Sequence, residues 1–304
     1  MKKILEKTFL IIIGTFAFFG LISFFTIILN KAYLKNHELV IDTKLASEFG
    51  DFFGGFIGTI FSIISVLLLI YTIYKQDFNS KKIEIETNFF RMLDYHNQNV
   101  NQLKIPNVFT HKKSQISEGR RGFVEFKIQF HYLLEIIRKI NSTKNFNLRE
   151  REIVDIAYII FYYGLQGSWI DFIEKKLDKY ENYQSITFSI SQEILQQPEK
   201  DLKRTNQTNL STYFRNMFNA IKMVDESKYL SHREKKNLIK IYRAQLSNPE
   251  LYILFFNVLS RFGKKWISNN YIEKYELFKN IPHNYCDGYE PKRFFKGNYE
   301  EDYY

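Results

Sequence analysis

The sequence predicts an all-α fold in which two N-terminal transmembrane helices precede an α-helical cytoplasmic domain. The chain of 304 residues contains only 13 Gly and 5 Pro, fewer than the many tight turns of an all-β protein usually require. Two runs without any charged residue are long enough to cross a bilayer. The remaining sequence repeatedly places apolar residues at helical spacing.

The composition excludes several other classes of protein. A chain with 45% apolar residues can build a core and is not disordered. Its one cysteine, Cys286, forms neither an internal disulfide nor a cysteine-rich zinc site, so we expect a reducing compartment. The sequence contains no P-loop, Rossmann fingerprint or metal-ligand spacing. It therefore predicts no metal and no cofactor, identifies no small-molecule substrate, and carries no strong enzymatic motif.

The two uncharged runs cover residues 8–29 and 52–74, with 22 and 23 residues. At a helical rise of about 1.5 Å per residue, each run spans a hydrocarbon core of about 30 Å. The first run exceeds the apolar length of a signal peptide and has no small-x-small cleavage pattern after it, which favours an uncleaved anchor. The sequence thus predicts a first membrane segment over 1–30, an external loop over 31–51 and a second helix over 52–74.

Lysines flank both runs on the side predicted to face the cytoplasm. Three lysines lie within the seven residues before the first run, and three lie within the eight residues after the second. The 21-residue connection instead mixes three lysines with four acidic residues. Because lysine-rich flanks stay inside, we expect a multi-pass protein of the inner membrane, with the lipid bilayer as a partner and both termini in the cytoplasm.

The cytoplasmic domain is predicted over residues 87–284, after a short juxtamembrane connection at 75–86. An apolar stripe predicts its first helix, formed by Phe89, Leu93, His96 and Val100. Pro106 is predicted to end this helix, and further helices are predicted near 123–140, 153–163 and 169–177. Residues 285–304 form an aromatic and charged tail without a clear period. No convincing strand pair is visible.

Helix-capping signals mark two later boundaries. Ser231 and Glu234 form a capping-box pattern, in which each side chain satisfies a free backbone N–H. Asn248 and Pro249 are predicted as the N-cap and first-turn residues of the next helix. Between these signals we expect Arg243 to be structural, with its guanidinium bonding helix-end carbonyls or an acid such as Glu250.

A row of small residues marks the second apolar run. Gly50, Gly54, Gly58 and Ser62 recur every four residues, a spacing that lets another helix approach closely. The row serves either self-association into a homo-oligomer or packing between the two helices of one chain. The sequence leaves both alternatives open.

Arg91 and His96 are the candidate catalytic residues. Their five-residue spacing is similar to the R-x4-6-H motif of HEPN-type ribonucleases, where His transfers protons and Arg stabilises developing charge. This spacing also arises by chance, and His96 lies on the apolar stripe. The alternative is a histidine buried in the core.

Several blocks of the sequence together resemble the AbiC-like family of phage abortive infection proteins. The blocks lie at 49–55, 88–97, 119–123, 213–215, 242–247, 250–251, 255–257, 263 and 275–282. They contain residues that match the family but have no assigned role: Gly119, Arg120, Arg215, Arg243, Gln245, Glu250 and Asn257. The resemblance implies anti-phage defence, membrane location and a helical cytoplasmic domain. It supplies no catalytic residue set.

These observations combine into one leading expectation and two alternatives. We expect a membrane effector of abortive infection. Its cytoplasmic domain would sense infection directly or would respond to a partner, either another defence protein or a nucleic-acid-containing sensor. The apolar helices would then assemble and disrupt the inner membrane. One alternative is a membrane-tethered HEPN-like ribonuclease that uses Arg91 and His96. The other is a non-enzymatic anchor for another defence component.

Overall fold

A computed structural model of the chain describes residues 2–29, 43–112, 114–167 and 169–300. The chain divides into two units, residues 1–81 and residues 82–304. Most of the predicted external loop, up to residue 42, lies outside the described residues, and so do the last four residues of the predicted tail. The described part of the chain is mostly helical, as the sequence predicts.

The first unit is built from helices that contain the two uncharged runs. Helix α1 covers Lys2–Leu29, α2 covers Thr43–Phe52, and a π-helical turn over Phe53–Ile57 joins α2 to α3, Gly58–Asn101. The last nine residues of the predicted external loop are therefore helical. The predicted juxtamembrane connection is also helical, because α3 continues through it into the second unit.

One helical run in the described residues, Thr43–Asn101, is long and apolar enough to cross a membrane. Its apolar stretch is not buried, and Leu69 and Ile70 are about 60% exposed. Helix α1 contains the first uncharged run, and within it the apolar helix identified among the described residues is Ile11–Ser23; that stretch alone is shorter than a bilayer requires. The first of the two predicted transmembrane helices therefore stays a prediction.

Hydroxyl side chains in the apolar helices bond to their own helix. Ser62 donates to the carbonyl of Gly58 at 2.9 Å, and Ser65 donates to the carbonyl of Phe61 at 2.8 Å. Thr72 does the same with the carbonyl of Leu68. These hydroxyl groups need no water as a partner, which suits a helix surrounded by lipid.

The second unit contains the end of α3, nine further helices and one short hairpin among the described residues. Strands β1, Lys104–Pro106, and β2, Ile116–Glu118, pair antiparallel with Pro106 opposite Ile116. The helices are α4 Gly122–Lys144, α5 Glu150–Tyr163, α6 Trp169–Leu177, α7 Tyr183–Leu195, α8 Gln207–Glu226, α9 His232–Ala244, α10 Asn248–Leu259, α11 Lys264–Ser268 and α12 Tyr271–Lys274.

Helix α10 lies at the centre of this unit. All its residues from Glu250 to Leu259 are buried, as expected of a helix that is apolar on every side. Aromatic rings join it to its neighbours: Phe256 on α10 lies 4.7 Å from Phe130 on α4, and Phe130 lies 5.5 Å from Phe161 on α5. Such ring pairs add to the energy of area burial.

Several details differ from the sequence predictions. Helix α3 ends at Asn101, and Pro106 lies in β1 instead of ending the helix. The N-cap of α10 is Ser247, one residue before the predicted Asn248. Ser247 and Glu250 form a capping box, which orients the first turn of α10. The cap predicted at Ser231 is confirmed.

The segment after residue 285 packs onto the helices. Cys286, Tyr289, Phe295 and Tyr299 are each less than 8% exposed. Their side chains do not follow one helical period, because the backbone here consists of turns and one 3-10 helix, Pro291–Arg293. These buried side chains of the predicted tail therefore contribute to the core, while others such as Lys292 and Lys296 are exposed.

Candidate functional site

A buried polar cluster lies where four helices of the second unit meet. We call it the Glu250 cluster: His96 on α3, Tyr213 on α8, Tyr242 on α9, and Ser247 with Glu250 at the start of α10. Each position belongs to an apolar stripe or a cap, which explains why the side chains point inward. His96 and Glu250 are fully buried.

Glu250 accepts most of the hydrogen bonds in this cluster. Its carboxylate oxygens accept from the Ser247 N–H at 2.8 Å, the Ser247 hydroxyl at 2.6 Å and the Tyr213 hydroxyl at 3.1 Å. Burial raises the pKa of the Glu250 carboxyl, but the neighbouring His96 ring and the bonds from Ser247 outweigh burial and hold the pKa below its ordinary value. Glu250 is therefore an ionised group in a largely aromatic surrounding.

Other polar atoms of the Glu250 cluster lack hydrogen-bond partners among the described residues. His96 Nε2 lies 3.7 Å from the nearer Glu250 oxygen, which is longer than a hydrogen bond. Neither ring nitrogen of His96 nor the Tyr242 hydroxyl has a hydrogen-bond partner among the described residues. Buried polar groups without partners cost free energy. The His96 ring is therefore held by its aromatic neighbours and by the nearby Glu250 carboxylate, without a hydrogen bond.

The structure does not bring Arg91 and His96 together. Arg91 is exposed on α3, whereas His96 is fully buried between aromatic rings. The centroid of its imidazole lies 4.6 Å from that of the Tyr213 ring and 5.0 Å from that of the Tyr242 ring. A scissile phosphate cannot reach a fully buried imidazole in this arrangement. The geometry therefore favours the core-histidine alternative over the ribonuclease pair.

An open cleft lies between α5, α8, α11 and the end of α10. We call it the basic cleft: it has a volume of about 500 Å³ and is lined in part by Arg215, Lys222, Asn257, Lys265 and Trp266. Arg215 and Lys265 are exposed, while Asn257 is buried and donates from its side-chain amide to the Tyr158 hydroxyl at 2.9 Å. Two of the family-matching residues, Arg215 and Asn257, thus meet in one cleft.

An ion pair anchors the turn that follows α10. The 3-10 helix Arg261–Gly263 follows α10, and Asp155 on α5 accepts from the backbone N–H of Arg261 at 2.7 Å and from its Nε at 2.9 Å. Burial raises the pKa of Asp155, but bonds from Arg261 and Tyr180 outweigh it and lower the pKa. This pair holds the turn so that Phe262 lines the cleft.

Arg243 holds a turn elsewhere in the domain. Its Nη1 donates to the carbonyl of Glu276 at 2.9 Å and, more weakly, to that of Tyr275 at 3.5 Å. Glu276 has a φ of 50°, which is uncommon for a residue other than glycine. Glu250, the acid considered from the sequence, instead binds Ser247 and Tyr213.

Replacing Arg243 with Lys should lower the stability of the protein by about 1 kcal/mol, because a lysine cannot span the same carbonyls with a planar group. The measurement is thermal unfolding of the purified full-length chain, alongside its abundance in cells. Arg233→Lys is the matched control, since Arg233 is exposed on the same helix. An unchanged unfolding temperature and abundance for Arg243→Lys would show that these two carbonyl contacts do not stabilise the turn.

The remaining family-matching residues lie at backbone junctions. Gln245 is the C-cap of α9, where its N–H donates to the carbonyl of Tyr242. Gly119 has a φ of 60°, which suits glycine at the entry to α4. Arg120 is exposed and reaches Asn97 at 3.4 Å. These residues shape turns and do not converge with the basic cleft.

The small-residue row does not face another described part of the chain. A methyl group at Gly50 or Gly54 would meet no described atom within 4 Å, and at Gly58 only the carbonyl of Phe53 in the preceding π-turn. The contact between α1 and α3 instead occurs at Gly20, where a methyl group would lie 3.5 Å from the Phe61 ring. The row is thus open in the described residues.

The family model described as "Putative phage abortive infection protein" matches residues 205–285 of this chain. The resemblance is confirmed over this segment. We call residues 205–285 the abortive infection segment. It contains α8 to α12, and therefore one side of the basic cleft and most of the Glu250 cluster. No curated protein and no solved structure matches the chain.

The abortive infection segment separates the candidate residues into two groups. Arg215, Arg243, Gln245, Glu250 and Asn257 lie inside the match. The small-residue row, Arg91, His96, Gly119 and Arg120 lie outside it. Among the residues that the structure describes, no group of three or more His, Cys, Asp or Glu side chains is placed to hold a metal ion.

Sequence reasoning did not identify the basic cleft. Its lining comes from residues as far apart as Tyr162 and Trp266, and no local motif connects them. The available signal was Arg215 on α8 and Asn257 on α10, both inside family-matching blocks. Only the packing of α8 against the end of α10 shows that they line the same cleft.

Proposed function

We propose that this chain is a membrane-anchored protein of phage abortive infection, in which residues 82–304 respond to infection and the apolar helices then act on the inner membrane. The family match supports the role in abortive infection. The response would be direct or would pass through a partner protein of the same defence system. The membrane step would be disruption of the bilayer by assembled helices.

Helix α3 is the observation that carries this proposal. Its first part exposes apolar side chains such as Val66, Leu69 and Ile73 to more than half of their area, and an exposed apolar helix of this length suits lipid. Its last part buries His96 in the Glu250 cluster. One continuous helix therefore belongs both to the apolar stretch and to the core of the responding domain.

The Glu250 cluster suggests how α3 would respond. Buried polar atoms without partners cost free energy, so a small helix shift, which is a common switching movement, would recover part of that cost if it gave them partners. Such a shift of α3 at His96 would be the first step of the response. We propose that infection changes the packing of α3 here.

The proposed membrane arrangement follows the lysine distribution. Two helices would cross the inner membrane, with both ends of the chain in the cytoplasm and residues 31–51 outside. The second unit, with its excess of basic residues, would lie beneath the anionic inner leaflet. Several copies would assemble through the open row of small residues.

The proposal is tested with a voltage-sensitive dye in infected cells. Cells that contain the chain should lose membrane potential before phage release, whereas infected cells without it should keep their potential until lysis. Uninfected cells that contain the chain serve as the control and should stay polarised. If growth arrests while the potential stays unchanged, the membrane step of this proposal is wrong.

Replacing both Gly54 and Gly58 with Leu should abolish protection while leaving the protein in the membrane. Leu favours the bilayer by about 0.3–0.6 kcal/mol, so insertion survives, but its side chain prevents close approach of a second helix. The measurements are plating efficiency of phage, membrane fractionation and chemical crosslinking, and crosslinked oligomers should decrease.

The matched control for this pair is Gly55→Leu, because Gly55 lies beside the row in the same π-turn and is equally open. This variant should keep both protection and crosslinking. Full protection by the Gly54→Leu, Gly58→Leu protein would show that the row is not an assembly face.

A further inference from the structure

The basic cleft carries positive charge that the described residues do not neutralise. Arg215, Lys222 and Lys265 line it, and none of the described lining residues is Asp or Glu. Lys222 lies 3.7 Å from Glu226. Arg215 and Lys265 form no ion pair within 4 Å with any carboxylate of the described residues. Uncompensated cations in a concave surface attract anions.

The other walls of the basic cleft are aromatic. Phe218 and Trp266 are in edge contact with ring centroids 5.1 Å apart, and Tyr162 lies 4.7 Å from Phe262. Phe218, Tyr162 and Phe262 are half-buried, so each ring keeps some exposed surface. Flat aromatic surfaces bind planar ligand rings, and the energy of stacking is largely independent of which base is stacked.

Polar side chains supply a third component of the cleft. Ser211, Asn219 and Asn257 also line it. The amide nitrogen of Asn257 is already bonded to the Tyr158 hydroxyl, which orients the side chain and leaves its carboxamide oxygen as the remaining acceptor. An oriented acceptor near an aromatic wall suits an amino or imino donor on a heterocyclic ring.

We propose that the basic cleft binds a free nucleotide, with the phosphates on Arg215 and Lys265 and the base against the aromatic wall. Arginine binds phosphate through paired N–H donors. Because Arg215 forms no ion pair with a carboxylate of the described residues, we assign it the main phosphate contact. A volume of about 500 Å³ is within the usual range for small-molecule sites. The bound nucleotide would act on the responding domain proposed above. Its biological role therefore rests on the proposed function.

Binding is measured by the fluorescence of Trp266 in the purified full-length chain in detergent. The chain has 2 Trp, so Trp169→Phe leaves Trp266 as the reporter, and Trp169 does not line the cleft. The protein is titrated separately with ATP, GTP, CTP and UTP, then with tripolyphosphate, adenosine and a short single-stranded oligonucleotide. At least one nucleotide should give a saturable change in fluorescence.

Arg215→Gln should weaken nucleotide binding by about tenfold or more, because a charge-assisted phosphate contact is lost. Lys265→Gln should weaken it to a smaller extent. Arg233→Gln is the matched control, since Arg233 is an exposed arginine outside the cleft, and it should bind normally. Arg215 is exposed and unpaired in the described residues, so its replacement should leave thermal unfolding unchanged.

Four results would overturn this inference. The first is that no nucleotide gives a saturable change in fluorescence, and the second is that tripolyphosphate binds as tightly as the best nucleotide. The third is that Arg233→Gln weakens nucleotide binding as much as Arg215→Gln does. The fourth is that the oligonucleotide binds more tightly than every nucleotide. The second would leave only an anion site, and the last would indicate nucleic acid. Binding is measured without cells, so its failure is distinct from an unchanged membrane potential during infection.

Discussion

Replacing Gly263 with Ala should strongly destabilise the second unit. The added Cβ would lie 2.2 Å from the Cα of Val258 and 2.5 Å from the carbonyl oxygen of Asn257, and both contacts are backbone. Because a helix backbone cannot move aside as a side chain can, we expect a loss of about 3 kcal/mol or more. This corresponds to a decrease of about 6–12 °C in the unfolding temperature.

The measurement is thermal unfolding of the full-length protein in detergent, with abundance in cells as a second readout. Gly297→Ala is the matched control, since a methyl group there would meet no described atom within 4 Å. It should unfold at the parent temperature. An unchanged unfolding temperature for Gly263→Ala would mean that the 3-10 helix beside the basic cleft packs differently in solution.

Replacing Glu250 with Ala should cost about 3 kcal/mol of stability. The change removes the capping box of α10, the bond from Tyr213 and the carboxylate that lies 3.7 Å from His96, and it leaves buried polar atoms without partners. Glu250→Gln should lose less, because its carboxamide oxygen still accepts from Ser247. Chemical and thermal unfolding of the full-length protein measure these differences.

Glu234→Ala provides a control with the same capping role and different burial. Glu234 also completes a capping box, but its side chain is partly exposed and paired with Lys82. Its loss should cost about 1 kcal/mol, the usual value of a cap. If Glu250→Ala were no worse than Glu234→Ala, the Glu250 cluster would contribute nothing beyond the cap itself.

The sequence predicted the helices well wherever apolar residues repeat at helical spacing. The stripe that contains Phe89 and His96 is buried, and α4 and α5 bury the residues expected of them. The N-cap of α10 was predicted one residue late. In the sequence Ser-Asn-Pro-Glu both Ser247 and Asn248 are good caps, and only the pairing of Ser247 with Glu250 decides between them.

Other features had no local signal. Strands β1 and β2 have three residues each and include Pro106, which argues against a strand. The segment after residue 285 fills gaps in the core through long-range contacts, so no period is visible in its sequence. The basic cleft depends on which helices pack together. Periodicity and caps predict single helices, but they do not predict which surfaces of those helices remain open.

The buried segment after residue 285 also determines when the second unit can form during synthesis. Phe295 and Tyr289 contact Phe255 and Phe256 on the central helix, so α10 stays incompletely covered until they exist. The apolar helices before residue 81 are made about 200 residues earlier, roughly 10–40 s at usual translation rates. A chain still on the ribosome would therefore have its apolar helices complete while its second unit is unfinished.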